Sequence, residues 1–170
     1  MPKYYIMLVD RDRNEMYVPV KAFLNPYDGQ PAFASGMPQF FGGTDEDDDP
    51  PAAVLKKEVS QESRQTLKLE SDAAQDLFTS GNMYFYWAAA DGWSDTGTPW
   101  GSAREANEAE MDRIQIVDLT QFDADWDNNG LIEELINQCQ SRDAPLQGKA
   151  DFDESATREA FIELLRLLLE

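Results

Sequence analysis

The sequence contains no histidine among its 170 residues, and its single cysteine is Cys139. The absence of imidazole excludes a Ser-His-Asp triad, a Cys-His dyad and an HExxH zinc site. A lone cysteine excludes an intrachain disulfide and a cysteine-based zinc cluster. Any chemistry must therefore use carboxylates, hydroxyls, amides, backbone groups or a bound hard cation.

Basic residues are also scarce: 14 Lys and Arg stand against 33 Asp and Glu, giving a net charge of −19. Such a charge repels phosphate backbones and anionic lipid surfaces, so we expect no nucleic-acid partner and no membrane partner. Long hydrophobic runs are absent, because the early run from Tyr4 to Val9 is only a strand's length. With no signal-peptide pattern at the start, the expected location is the cytoplasm.

The hydrophobic content is 42%, with 9 Phe, 6 Tyr and 4 Trp, which is enough for the core of one domain. Apolar and β-branched runs predict strands over 4–9, 16–20, 39–41, 83–90 and 114–119. Helical periodicity predicts helices over 52–63, 131–140 and 155–169, with Ser155 as an N-cap. This order predicts an α+β fold in a single domain, 1–170, with a C-terminal helical extension over about 150–170.

Glu58 and Glu62 lie four residues apart, which places both carboxylates on one face of the predicted helix. The Gly42-Gly43 turn precedes this helix and offers free backbone carbonyls. Oxygen ligands of this kind suit Mg²⁺ or Mn²⁺. The alternative is that the two glutamates form only the solvated face of an amphipathic helix.

The spacing of the whole segment resembles the Nudix box, which runs Gly, five residues, Glu, seven residues, Arg-Glu, a hydrophobic residue, any residue, Glu-Glu, any residue, Gly. From Gly43, five residues lead to Asp49, and seven more lead to Lys57-Glu58. Val59, Ser60, Gln61-Glu62, Ser63 and Arg64 then follow in order. The resemblance implies a Nudix-like mixed-sheet α/β/α sandwich.

Four positions depart from the family pattern. Asp49 replaces a glutamate, Lys57 replaces the arginine, Gln61 replaces one of the paired glutamates, and Arg64 replaces the closing glycine. Lysine lacks the planar fork with which arginine orients a carboxylate. A neutral amide at position 61 is a weaker metal ligand than a carboxylate.

The resemblance implies a metal-dependent hydrolase of nucleoside diphosphate-linked substrates, with weakened activity as one possibility. In that interpretation Glu58 and Glu62 carry the catalysis, and Mg²⁺ or Mn²⁺ is held by both, with Gln61 and Gly42. A further glutamate from a later loop completes the site, and the sequence offers Glu105, Glu108 and Glu110. The partner would be a nucleotide-type small molecule.

A binding protein is the alternative function. A compact acidic domain without histidine suits an inhibitor or immunity-type protein that docks on a basic protein partner. The contact residues would then be the acidic run Asp45, Glu46, Asp47, Asp48 and Asp49. A third interpretation, adaptation of the surface to high salt, makes no statement about activity.

Two further features have open interpretations. Trp93 and Trp100 flank a loop and would either stack on a substrate base or plug the core. The run from Asp125 to Ile132 matches the first eight positions of an EF-hand loop, but Ile136 stands where the bidentate glutamate belongs. For this run we favour an acidic turn that caps the following helix.

Overall fold

The computed structural model describes residues 1–139 and 146–170. Eight strands and four helices lie in these ranges. The strands are β1 (Lys3–Asp10), β2 (Glu15–Lys21), β3 (Phe41–Thr44), β4 (Leu67–Leu69), β5 (Gln75–Ser80), β6 (Met83–Ala88), β7 (Trp93–Asp95) and β8 (Met111–Asp118). The helices are α1 (Pro51–Glu62), α2 (Asn128–Cys139), α3 (Leu146–Asp153) and α4 (Ala156–Leu168).

The main sheet is mixed, with strand order β5-β6-β1-β2-β8. Its central strand, β1, runs parallel to β6 and antiparallel to β2. The first half of β1 also pairs antiparallel with β3, with Tyr5 opposite Gly42. Gly42 and Gly43, predicted as a turn after a strand over 39–41, therefore lie within β3 beside the central strand. A separate two-stranded sheet pairs β4 with β7.

Strand β1 is buried on both of its faces. Ile6 and Leu8 belong to one hydrophobic cluster, and Met7 and Val9 belong to the other, each with no exposed surface. Alternate side chains of a strand point to opposite faces, so both faces of the sheet must be covered.

Helix α1 covers one face, where Leu55 and Val59 pack in the same cluster as Phe41. Helices α2 and α4 cover the other face through residues such as Leu135 and Phe161. The predicted α+β class with a mixed sheet is confirmed. Residues 156–168, predicted as part of an extension, form a layer on the sheet and pack on β5 and β6.

Side-chain caps begin two of these helices. The Ser155 hydroxyl accepts a hydrogen bond from the Arg158 amide at 3.3 Å, as its N-cap position predicts. Asp127 Oδ1 accepts from the Gly130 amide at 2.7 Å, so the acidic run before α2 serves as a helix cap. The predicted end of this helix at Gln140 lies outside the described residues.

Strands β4, β5 and β7 and helix α3 were not predicted. The segment over β5, QDLFTS, has no buried residue, so it lacks the alternation that marks a half-buried strand. In the part of the chain that the structure describes, no helix has the length and apolar character needed to cross a bilayer.

Candidate functional site

A polar cleft of about 410 Å³ opens between β3, helix α1 and the segment that precedes β8. Its chemistry is dominated by oxygen. The lining residues are Tyr27, Gly42, Gly43, Thr44, Asp45, Glu46, Asp47, Asp49, Val54, Lys57, Glu58, Gln61, Asn107 and Glu110. Six of them carry carboxylates and one, Lys57, is basic, so the cleft attracts cations.

The cleft is built on a hydrogen bond between the first glycine of the turn and the last residue of α1. The Gly42 amide donates to Glu62 Oε1 at 2.7 Å. Glu62 is 1% exposed. Position 42 admits no side chain, because a Cβ there would lie 2.1 Å from the Tyr4 carbonyl oxygen. Glycine thus lets β3 approach β1 and brings its amide to Glu62.

Gly43 leaves room for the second carboxylate. A Cβ at position 43 would lie 3.1 Å from Glu58 Oε1 and 3.2 Å from its Cδ, closer than most real Cβ contacts. The carboxylate of Glu58 therefore rests against bare backbone. The structure places Glu58 and Glu62 on the face of α1 that meets the Gly42-Gly43 turn, as the spacing predicts.

Of the three later glutamates, Glu110 lies with this pair. Glu110 lines the same cleft as Glu58, and after burial its charge is one of the causes that raise the pKa of both Glu58 and Glu62. Glu108 is otherwise engaged: its carboxylate accepts from the Arg104 guanidinium at 2.9 Å and from Gln65 Nε2 at 3.0 Å. These bonds lower the pKa of Glu108 to about 2. Glu105 is exposed.

The pKa values of Glu58 and Glu62 are both raised in the folded protein. Burial, followed by the charges of Glu110 and Glu46, raises the pKa of Glu58 to about 7, and the charge of Lys57 acts in the opposite direction. Burial is also the main reason that the pKa of Glu62 is raised well above its usual range, with Glu58 next; the hydrogen bond from Gly42 works in the opposite direction. A bound cation would relieve the mutual repulsion of these carboxylates.

Arg64 follows α1 and has a left-handed backbone, with φ of +52°. Helices frequently end on such a residue, and glycine adopts this conformation most readily. The backbone at position 64 therefore has the conformation that favours glycine, which is the residue that closes the Nudix-box pattern. The Arg64 side chain donates three hydrogen bonds to backbone carbonyls of the segment 101–111 and lies 4.3 Å from the centre of the Trp100 ring.

The remaining box positions lie at the cleft wall. Gln61 and Lys57 line it from α1, and Asp49 lines it from the acidic run. Within that run, Asp45 is buried and its Oδ1 accepts from the Asp49 amide at 2.9 Å. The residues from Glu46 to Asp49 are exposed. Asp45 thus shapes the turn, whereas the next four acids face solvent.

The two tryptophans differ in position. Trp93 is buried in the cluster beneath α1, and its indole N–H donates to the Val9 carbonyl at 3.1 Å. Its ring also contacts Tyr17, with centroids 4.7 Å apart. Trp93 therefore occupies the core, as in the second interpretation of the sequence. Trp100 is 36% exposed, lies outside the carboxylate cleft and borders a separate hollow of about 210 Å³.

Sequence reasoning missed three residues of this region. Tyr5 stacks on Phe85 with centroids 5.0 Å apart, and burial followed by the charges of Glu62 and Glu58 raises its pKa to about 12. Tyr27 reaches the cleft from a proline-flanked loop, and burial followed by the charge of Glu110 raises its pKa. Asn107 lines the cleft, and its Oδ1 is buried without a hydrogen-bond partner. No periodicity or spacing marked Tyr27 or Asn107.

The donor set of the cleft fits a hard cation. Carboxylate, amide and carbonyl oxygens are the ligands of Mg²⁺ and Mn²⁺, and the unpartnered Asn107 Oδ1 adds an acceptor. Over residues 1–139 and 146–170, however, no group of three or more His, Cys, Asp or Glu side chains has the geometry to hold a metal ion. Ion binding in this cleft therefore requires the carboxylates to move from the positions that they occupy here.

Comparisons with known proteins give structural likenesses but no match of sequence. No protein-family model matches the chain, and no curated protein matches it. Among solved structures, a candidate Nudix hydrolase from Listeria monocytogenes aligns over 99% of this chain and 94% of its own, with 12% sequence identity and a TM-score of 0.46. A likeness of this size does not establish the family, so the activity is inferred from the cleft itself.

Proposed function

We propose that this protein is a Nudix-like hydrolase that uses Mg²⁺ or Mn²⁺ to cleave nucleoside diphosphate-linked substrates. The observation that carries the proposal is that Glu58 and Glu62 lie against Gly42 and Gly43 of β3 and that Glu110 lines the same cleft. Three carboxylates in a partly buried cleft destabilise one another unless a cation or protons neutralise them. Clustered carboxylates that lower the stability of the folded protein are typical of functional sites.

Glu58, Glu62 and Glu110 would hold the ion, with Gln61 and the Gly42 backbone beside them. A divalent ion bound there supplies neutralisation of diphosphate oxygens and lowers the pKa of bound water. The Gly42 amide fixes Glu62 Oε1, so that this carboxylate is oriented before any ligand arrives. The bare backbone of Gly43 keeps the space that Glu58 needs.

A carboxylate beside the ion would take the proton from the attacking water. The pKa of Glu58, about 7 without a bound ion, lets this carboxylate ionise near neutral pH, as ion binding requires. Burial of the neighbouring Glu62 is deeper, which favours a fixed, ligand-type role for that residue. Because the cleft itself is acidic, a polyanionic substrate approaches it favourably only with its own charge neutralised by metal.

The test is turnover of a panel of nucleoside diphosphate derivatives with Mg²⁺ or Mn²⁺, assayed for phosphate-containing products. We expect activity that chelator abolishes and that Glu62→Gln lowers at least about a hundredfold. The matched control is Glu163→Gln, an exposed glutamate on α4. Full activity of Glu62→Gln, or activity in excess chelator, would contradict the proposal.

A second function is favoured by a different observation. The tract Glu46–Asp49 is exposed at the mouth of the cleft, and the exposed apolar residues Leu24 and Tyr27 lie on the adjoining loop. An acidic surface with an apolar rim suits docking of a basic protein partner by an inhibitor or immunity-type protein. Recovery of such a partner by a protein that turns over no nucleotide would favour this function.

A further inference from the structure

We infer that Arg64 is a positioning residue that holds Glu110 against Glu58 and Glu62. The inference rests on the proposed function in one respect: it gives Glu110 a place in the cation site. The residue is the one that stands where the resembled pattern has glycine, so the family pattern assigns it no side-chain role.

The hydrogen bonds of Arg64 bracket Glu110 along the chain. Nε donates to the Glu108 carbonyl at 3.0 Å, and one terminal nitrogen donates to the Met111 carbonyl at 3.1 Å. The other terminal nitrogen donates to the Gly101 carbonyl at 2.8 Å. A planar guanidinium presents these donors in a fixed fork, so the three carbonyls are held in a fixed relation to the end of α1.

Trp100 adds to this arrangement. The guanidinium carbon of Arg64 lies 4.3 Å from the centre of the Trp100 ring, within the range of a cation–π contact. The segment from Trp100 to Met111 is therefore attached to the C-terminus of α1 at its start, at Glu108 and at its end. Glu62 is the last residue of α1, so the same attachment fixes the distance between the helix carboxylates and Glu110.

The attachment acts against electrostatic repulsion. Glu110 carries the same charge as Glu58 and Glu62, and an untethered loop would relieve the repulsion by moving away. Glu110 itself is held through its backbone, because the Ala22 amide donates to its carbonyl at 3.0 Å. That bond fixes the backbone where β8 begins, whereas Arg64 fixes the segment that leads into it.

The left-handed backbone at position 64 supplies a clean variant. Arg64→Gly removes all three hydrogen bonds, and glycine adopts a φ of +52° more readily than arginine does. Loss of function in this variant thus does not arise from the backbone of the helix end. Arg64→Lys keeps the charge but cannot reach three carbonyls. Arg166→Ala is the matched control, because Arg166 also donates three hydrogen bonds, to Ala124 and Trp126 in a loop and to Asn128 at the start of α2.

Two measurements on the full chain test the inference: hydrogen exchange over residues 101–111 with the Ala22 amide, and Mn²⁺ affinity from the electron paramagnetic resonance signal of free Mn²⁺. In Arg64→Gly and Arg64→Lys we expect faster exchange at these amides and an affinity about ten- to one-hundredfold lower, the usual effect of losing a residue that orients a ligand. Arg166→Ala should retain both values. Steady-state kinetics should show the same order of variants in kcat.

Unchanged exchange in Arg64→Gly, or an unchanged Mn²⁺ affinity, would overturn the inference. An equal loss of affinity in Arg166→Ala would overturn it as well, since the effect would then be general destabilisation. If the wild-type protein binds no Mn²⁺ and hydrolyses nothing, the proposed function fails. The placement of Glu110 is then decided by hydrogen exchange alone, at residues 101–111 and at Ala22.

Discussion

The amide of Gly42, in the middle of the sheet, donates its hydrogen bond to the carboxylate of Glu62 at the end of α1, across 20 residues of sequence. This bond joins the strand that pairs with β1 to the helix that covers it. It leaves Glu62 with one satisfied oxygen, while the other oxygen is free for a proton, for Glu110 or for a cation. The hydrogen bond between Gly42 and Glu62 therefore links the cleft to the sheet beneath it.

The first prediction concerns pH and Glu58. In the unfolded chain this residue ionises near pH 4.5, whereas in the folded protein its pKa is about 7. Between these values the folded state binds more protons, so the free energy of unfolding falls as the pH rises from about 4.5 to 7 and is level above. At 1.36 kcal/mol per unit the shift corresponds to about 3 kcal/mol, and solvent in the cleft reduces this to about 2 kcal/mol.

Urea denaturation of the wild type and of Glu58→Gln across pH 4.5 to 8 measures this contribution. The glutamine variant should lose less stability over the interval, and saturating Mg²⁺ above pH 7 should restore wild-type stability by binding the ionised form. Parallel curves for the two proteins would contradict the assignment of the shift to Glu58.

Gln61→Glu should strengthen cation binding. Gln61 lines the cleft, and a carboxylate there adds a charged ligand to a site whose affinity depends on ligand charge. We expect Mg²⁺ or Mn²⁺ affinity to rise by about tenfold, with lower stability of the metal-free protein because a like charge joins the cluster. Ser60→Glu places the same charge one residue earlier, away from the cleft, and serves as the control. Equal titration curves for Gln61→Glu and the wild type would indicate a site that no longer binds metal.

Trp93→Phe should affect stability and leave substrate binding unchanged. The substitution removes the indole N–H from the buried Val9 carbonyl, and an unsatisfied buried acceptor costs about 1–2 kcal/mol. Thermal unfolding measures the loss. A KM that rises severalfold in this variant, at an unaltered melting temperature, would instead show that Trp93 contacts the substrate.

Neutralising the exposed acids tests the binding function. The variant Glu46→Gln, Asp47→Asn, Asp48→Asn and Asp49→Asn removes four charges and leaves Asp45, whose buried carboxylate caps the turn. Asparagine also suits the left-handed backbone of Asp48, with φ of +55°. We expect slower association with a basic partner recovered at low salt, because these charges attract the partner during the encounter. The attraction is screened beyond about 8 Å at physiological ionic strength, so the effect should be largest at low salt. The melting temperature should not change, because the four side chains are exposed.

Asp45→Ala is the companion variant. It should lower stability by about 1 kcal/mol through loss of its hydrogen bond to the Asp49 amide, with little effect on the association rate. Stopped-flow association at two salt concentrations separates the two variants. An association rate that changes neither on neutralising the four charges nor on adding salt would exclude electrostatic docking through this loop.

The elements that the sequence predicted are those with a strong local signal. β1 is a continuous apolar run, α4 has a serine cap, and the box spacing placed Glu58 and Glu62 on the correct face of α1. The sequence could not show that Glu110, and not Glu105 or Glu108, lies in the cleft. This depends on the tertiary contacts of the segment before β8. Arg64 was visible as a departure from the pattern, but its three acceptors are backbone carbonyls, which any residue supplies.

The pairing of β1 with β6 has a consequence for how the chain folds. Lys3 lies opposite Met83 and Leu8 opposite Ala88, so each pair joins residues 80 apart in sequence. β1 can therefore pair with its parallel neighbour only after the chain has extended through residue 88. Closing so long a loop is entropically costly, and such pairings slow folding. The cleft, which combines Gly42, Glu58 and Glu110, is complete only when the chain has extended past residue 110.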